Sequence, residues 1–401
     1  MLIDFKFSNF LSYKNEARLL MTPVKSFKEH KDTHIILSSK LPILKSSAIY
    51  GSNGGGKSNF ILAMGFMKGL IHNSFADSLK NDEDRTFTEY HYRLSQGASD
   101  QASSFEVSFI HQDIIYRYGF KVKRFEIISE WLYKKAETET PLFTRELSKF
   151  NINKNSFSEG AKYVKEVNSN VLFVSHLAQF NSPVSKIVFN WFRGLNVVSG
   201  LNEDRYKSAT SVLLKSIPGF KAWLSLAVRF LEISNIEADQ DGQIITYHNK
   251  YDDNNTIIDS VPFALEKEES LGTRKLIYLL GAIYDTLKFQ KILFIDELDS
   301  KLHPNLTKRL MVFFHKLNQD KAQFVFTAHD AILLDKDLLR RDQIWFVDRN
   351  RFGESELYGM SEFDSSVIRN TSDFRKKYLD SVFGAAETIN ITDELIALMD
   401  N

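Results

Sequence analysis

The chain has 401 residues, 43% of them hydrophobic and 25% charged, with Lys+Arg and Asp+Glu equal at 51 each. That length supports a large core in two or three structural units, and the charge balance excludes a whole-molecule field drawing the chain to DNA or to an anionic membrane. Cysteine is absent, which excludes disulfides and thiolate metal sites.

Residues 1–20, MLIDFKFSNFLSYKNEARLL, alternate apolar and polar side chains around a turn at Ser12–Asn15, which predicts a hairpin rather than a signal peptide. A second strand is expected over 41–50, followed by a glycine-rich turn and a helix from about Lys57 to Ser74. Residues 75–103 read as polar and irregular. β-Like segments follow: SSFEVSFIH, DIIYRYGFKVKR, FEIISEWLYKK and PLFTREL. Residues 146–168, rich in Asn, Lys and Ser, read as an exposed excursion. From Pro183 to about Glu232 apolar residues recur at three- and four-residue spacings, which predicts mostly helix. Two strands are expected near Ile233–Ala238 and Ile244–His248. From Ser270 the expected order is helix (270–289), strand (291–296), helix (305–318), strand (322–328), then helix and strand (343–348). Such alternation predicts a parallel sheet covered by helices. Apolar runs such as LIYLLGAIY are about half the roughly 20 residues needed to span a bilayer, so no membrane partner and a cytoplasmic location are expected.

The chemistry centres on AIYGSNGGGKSNF, residues 48–60. Gly51, four residues (Ser52, Asn53, Gly54, Gly55), then Gly56, Lys57 and Ser58 match a phosphate-binding loop, with Asn59 next in the helix. Glycines let consecutive amides point at phosphate oxygens, and the following helix adds its positive end. Lys57 is expected to reach the β/γ-phosphates and Ser58 to ligate Mg²⁺. The stretch KILFIDELD supplies the acidic counterpart: four apolar residues end in Asp296, for the metal, and Glu297, to polarise a water. The two motifs are 239 residues apart (57 to 296), far more than in compact GTPases or RecA-like motors. Between them, ESLGTRK places Ser270 and Gly272 at a helix start. FVFTAHD places His329 at a strand end, 33 residues after Asp296.

These motifs, in this order and spacing, resemble the AAA_15/AAA_21 group of ABC-type ATPases, kin of SMC, Rad50 and RecF heads. Within it the chain is similar to stand-alone ATPases of antiphage and abortive-infection systems: the OLD-like ATPases, the AbiL/RloA type and the ATPase subunit of PARIS. IDFKFSNFLSYK, YGSNGGGKSN, YRYGF, ESLGTRKL, IDELDSKLHPNL, TAHDAILLD and the tail segments RRDQIWFVDRNRFGESELYGMSEF and RKKYLDSVFGA carry the likeness. It implies an α/β fold, an ABC-type P-loop ATPase head with a parallel core sheet, an antiparallel β region and a helical insertion. The expected division is an N-terminal lobe over 1–180, a helical subdomain over 181–232 and a C-terminal lobe over 233–401. The resemblance further implies Mg²⁺-dependent ATP hydrolysis with Glu297, His329 and Lys57 catalytic. Ser270 and Gly272 of one chain would complete the site of another, in a homodimer or higher homo-oligomer. It also implies a separate effector encoded nearby, a Toprim-like or RloB-like nuclease, with nucleic acid or a phage protein as the trigger.

Some features depart from the relatives. ESLGT stands where transporter heads carry LSGGQ, and Leu298 stands where they carry proline after the Walker B glutamate. Gln96, Gln101 and Gln179 are the candidates for a Q-loop glutamine. The 70-odd residues after His329 are too few for a Toprim domain, and Asp342, Asp348, Glu354 and Glu356 read as a solvated acidic surface. A RecF-like, DNA-binding repair ATPase is the alternative. It would use the basic clusters Lys121–Lys123–Arg124, Lys134–Lys135, Arg340–Arg341 and Arg375–Lys376–Lys377.

Overall fold

The computed structural model describes residues 1–80, 90–198, 204–364, 366–369 and 371–385. The parts of the expected loop over 75–103, of the helical region over 183–232 and of the C-terminal tail that fall elsewhere lie outside the described residues.

The first half begins with β1 (Leu2–Ser8) and β2 (Ala17–Leu20), the expected hairpin, then α1 (Lys31–His34), β3 (Ile35–Leu37), β4 (Pro42–Leu44) and β5 (Ser46–Gly51). Helix α2 (Lys57–Asp77) leads to a meander of β6 (Ser103–His111), β7 (Ile114–Lys123), β8 (Glu126–Lys135), β9 (Glu139–Glu146) and β10 (Lys149–Ile152). Helices α3 (Phe173–Gln179) and α4 (Pro183–Arg193) follow, then β11 (Leu195–Val198), α5 (Asp204–Ser216) and α6 (Pro218–Ala227). Next come β12 (Ile233–Ala238), β13 (Ile244–Tyr251), β14 (Ile257–Ala264), α7 (Leu265–Glu268) and α8 (Leu271–Lys288). The chain continues through β15 (Ile292–Ile295), α9 (Pro304–Leu317), β16 (Gln323–Thr327), β17 (Ile344–Arg349), β18 (Ser355–Gly359) and α10 (Phe374–Leu379).

Six strands in the order β11-β15-β16-β5-β17-β18 form the central sheet, parallel except for the last pair. Its strands are apolar on both faces because both are covered. Ile49, Phe294, Val325 and Val347 point into one core, against α2 and the seven-stranded antiparallel sheet β10-β9-β8-β7-β6-β1-β2. Their neighbours Tyr50, Leu293, Phe324 and Phe346 point into the other, against α5, α6, α8 and α9. Helix α2 is therefore wedged between two sheets, and Phe60 on its first turn packs on Phe5 and Phe7, both at 5.6 Å between ring centroids.

The stretch over 183–232 is mostly helical as expected, in α4, α5 and α6, but one strand interrupts it. Leu195–Val198 is a strand, paired in parallel with the Walker B strand β15. The excursion over 146–168 is also less free than expected: β10 joins the sheet, Phe157 is buried, and Arg145 donates to the carbonyls of Asn168, Ser169 and Val171. Between His329 and Ile344 there are short 3-10 turns rather than the expected helix.

At the N-terminal end of β5, the rings of His34 and His315 stack at 3.7 Å. His34 Nε2 pairs with the Leu338 carbonyl and His315 Nε2 with Ser46 Oγ. Burial holds His34 down at about 4, with His30, Arg340 and Lys45 adding to the effect. Burial likewise holds His315 well below the ordinary imidazole range. Both are neutral in the folded chain at pH values where an unfolded histidine, near 6.5, is protonated. The unfolded state thus binds more protons between pH 6.5 and 4, and stability falls as pH falls through that window. Urea unfolding at pH 7 and pH 5 is expected to show a loss that shrinks by about 2 kcal/mol in His34→Gln, which removes one such group. An unchanged loss would place the acid sensitivity elsewhere.

Candidate nucleotide site

Strands β5, β15 and β16 run parallel as neighbours, so their C-terminal ends open on one edge of the central sheet. That edge carries the glycine loop from β5, Asp296 and Glu297 from β15, and His329 from β16.

Gly51 ends β5 and Lys57 opens α2. Two of the glycines are demanded by space. A Cβ on Gly51 would lie 2.2 Å from the Val347 carbonyl oxygen, and one on Gly56 2.4 Å from Ser355 Oγ. Gly56 also has a φ of 122°, where L side chains rarely go. The Gly55 amide donates to the Ser52 carbonyl at 3.0 Å, closing the turn, and Asn53 and Gly54 at its tip are exposed. Lys57 is buried, its ammonium folded back to donate to the carbonyls of Gly51 (2.7 Å) and Ser52 (2.9 Å). Ser58 is half-buried on the first turn of α2.

The loop is braced by side chains that sequence reading did not single out. The Tyr13 hydroxyl donates to the Gly56 carbonyl at 3.0 Å, and burial pushes its phenol far up, so it stays a donor. Ser355 Oγ donates to the Gly55 carbonyl at 2.5 Å and lies 2.7 Å from Ser12 Oγ, which accepts from Asn59 at 2.8 Å. The Ser355 amide donates to the Ser12 carbonyl. The β1–β2 turn and the β17–β18 hairpin therefore hold the glycine loop between them. The segment after residue 90 packs on the same elements: Asn9 bonds the Gln101 carbonyl, and the Tyr92 hydroxyl bonds the Phe352 carbonyl. Gln96 and Gln101 lie on this exposed segment, whereas Gln179 ends α3.

On the acidic side, Asp296 is buried and its Oδ1 accepts from Thr327 Oγ1 at 2.6 Å. The same Thr327 oxygen accepts from the Glu297 amide at 2.7 Å. Glu297 has a φ of 51°, and its carbonyl accepts from the buried Lys275 ammonium at 2.7 Å. Its carboxylate lies 3.8 Å from His329 Nε2. Asp299 Oδ2 accepts from the backbone amides of His329 and Asp330, which fixes the turn bearing that histidine.

Ser270 caps α8, accepting from the Thr273 amide at 3.1 Å. A Cβ on Gly272 would meet the Lys301 carbonyl at 3.0 Å. These contacts lie on the β15 side of the edge, two strands from β5. The residue just before the cap, Glu269, is held by Thr246 Oγ1 at 2.6 Å and His248 Nε2 at 2.7 Å from β13.

The donor set suits a hard cation: a serine hydroxyl and one carboxylate, all oxygen. Among the described residues no group of three or more His, Cys, Asp or Glu is placed to hold a metal. Two charged features need correction. Asp342 is not a solvated acid, and Arg340 is not a DNA-facing cation. Both are buried and paired through Nε–Oδ1 (2.8 Å) and Nη2–Oδ2 (2.7 Å), and Arg341 is tied to Glu29. Glu354 pairs with Lys14. Among the described residues no helix is long and apolar enough to cross a membrane.

The solved structures to which the chain is similar include three of low identity. These are the SMC head domain from Thermotoga maritima (14% identical, TM-score 0.41, covering 89% of this chain and 98% of that one), an SMC head bound to the C-winged helix domain of ScpA (13%, 0.38, 92% and 99%), and an SMC head with an extended coiled coil bound to the C-terminal domain of ScpA derived from Pyrococcus furiosus (12%, 0.38, 95% and 99%). No curated protein matches. Residues 46–335, well over half of the chain, match a family of AAA ATPase domains, and the match spans every motif assembled at the sheet edge. The chain belongs to that family, described as "AAA domain, putative AbiEii toxin, Type IV TA system".

Proposed function

We propose that the chain binds and hydrolyses ATP with Mg²⁺ and uses the cycle to control a separate effector, a nuclease encoded nearby, in an antiphage abortive-infection system. The observation that carries the ATPase reading is the convergence of the glycine loop, Asp296–Glu297 and His329 on one edge of the parallel sheet. In this reading the loop amides and Lys57 hold the phosphates, with Lys57 turning from the Gly51 and Ser52 carbonyls to do so. Ser58 and Asp296 hold Mg²⁺, which when bound neutralises phosphate charge. Glu297 orients and deprotonates the attacking water, and His329 stands beside it to contact the γ-phosphate. Ser270 and Gly272 complete the site of a second chain.

A separate effector is supported by chemistry. Among the described residues no group of three or more His, Cys, Asp or Glu is placed to hold a metal for cutting nucleic acid, and the family description names a toxin–antitoxin system. The antiphage role and the trigger, nucleic acid or a phage protein, come from the resemblance. The test is co-expression with the neighbouring reading frame. The two proteins should co-purify, and phage protection or toxicity should require Lys57 and Glu297 here as well as the partner's own catalytic residues. Degradation of DNA or RNA by the purified chain alone, persisting in Lys57→Ala, would sink the separate-effector reading. Salt-dependent DNA affinity of the chain alone would favour the RecF-like alternative.

A further inference from the structure

We infer that Lys275 is a positioning residue for hydrolysis: it fixes the peptide that carries Glu297 and ties the setting of that carboxylate to the helix beginning at Ser270. The inference rests on the ATPase reading above and concerns how the same site is regulated.

Glu297 sits at a φ of 51°. A non-glycine residue persists there only when its neighbours hold it. Both of its backbone ends are held. The amide donates to Thr327 Oγ1 at 2.7 Å, and the carbonyl accepts from Lys275 Nζ at 2.7 Å. The next amide, Leu298 N–H, donates to the Thr327 carbonyl at 3.0 Å, so the chain cannot swing about that point. Two unrelated elements thus grip one peptide turn: β16 from one side and α8 from the other.

Lys275 is only 4% exposed. A buried ammonium donating to a carbonyl makes a charge-assisted bond, stronger than a neutral one. It also donates to Ser300 Oγ at 2.5 Å, on the turn that follows Glu297. The ammonium therefore spans the start and the end of that turn. Without it the Glu297–Leu298 peptide is held only at its amide end, by the Thr327 carbonyl, and the placement of the Glu297 carboxylate loosens.

The second half of the inference follows from where Lys275 stands. It lies on α8, about one and a half turns beyond Ser270. In the reading above Ser270 is the residue offered to a second chain's nucleotide, so Lys275 ties the setting of Glu297 to the helix that begins there.

The test uses the full chain with Mg²⁺ and ATP, measuring ATP affinity and kcat separately. Lys275→Met keeps the apolar stem and removes the donor. It should leave the ATP dissociation constant within about twofold of wild type and lower kcat by about 10–100-fold, as expected for a misplaced reacting group. Lys275→Arg, which keeps a charged donor, should restore part of the turnover. If Lys275 merely supports packing, the fall in kcat will match the loss of ATP-binding sites, and Met and Arg will behave alike; that result overturns the inference. Should Lys275→Met not fold, Lys275→Gln decides by the same criteria. A wild-type chain that does not hydrolyse ATP overturns the ATPase reading and the inference with it. Wild-type turnover with an unaltered Lys275→Met overturns the inference alone.

Discussion

Glu297→Gln is expected to bind ATP as the wild type does and to hydrolyse it about 10²–10⁴-fold more slowly, the usual cost of losing a positioned base. The substitution keeps the size of the side chain and, with it, the backbone clamps, since Thr327 and Lys275 bond the main-chain amide and carbonyl of residue 297. What changes is the carboxylate near His329, at 3.8 Å. An amide cannot take the proton of an attacking water, so the loss should fall on kcat rather than on binding. Lys57→Ala should behave in the opposite way. Its ammonium is the buried cation of the glycine loop, and without it the phosphate charge loses its main partner, so binding itself should vanish. Equilibrium binding and single-turnover hydrolysis on both variants separate the two effects. Wild-type turnover by Glu297→Gln would show that the base has been misassigned. Retained ATP affinity in Lys57→Ala would move the phosphate site away from this loop.

Much of the site was legible because it sits on the most regular part of the fold. The strands at 292–295 and 323–327 are short continuous apolar runs, as strands buried on both faces must be, and each ends at its polar residue. Other features left weaker traces. β11 is four residues, LNVV, between two helical patterns, and a run that short reads as helix or strand equally well. β14 leaves no clear trace because IIDSVPFA carries a proline and is exposed along most of its length, at the edge of its sheet. Arg340 and Asp342 look like surface charges in sequence; burial becomes tolerable only because each neutralises the other, which is a tertiary fact. The braces on the glycine loop are the clearest case. Ser12 and Ser355 touch across 343 residues of sequence, and nothing local to either marks the pairing. Lys275 was equally hidden, since a lysine on a helix reads as solvated until the fold shows it against the Glu297 carbonyl.

The sharpest expectation for the assembly concerns mixed variants. Ser270→Arg alone should keep nearly full ATP binding and lose turnover. Ser270 contacts its own helix and lies on the β15 side of the sheet edge, not on the glycine loop, so an arginine there leaves the loop of its own chain intact. It would instead obstruct a second chain's nucleotide. Lys57→Ala alone should be inactive for want of binding. Combined in one solution, the two dead proteins should regain activity. A mixed pair has one site built from the intact Lys57 of the first variant and the intact Ser270 of the second, while its other site carries both defects. With equal amounts and free exchange in a two-fold pair, half of the pairs are mixed and each has one working site, so about a quarter of wild-type turnover should return. If the site exists only in the pair, activity should also depend on chain concentration. The decisive control is exchange itself, read by differently tagged subunits that co-purify after mixing. If exchange is complete and no hydrolysis returns, Ser270 does not complete a neighbour's site, and the nucleotide is handled within single chains.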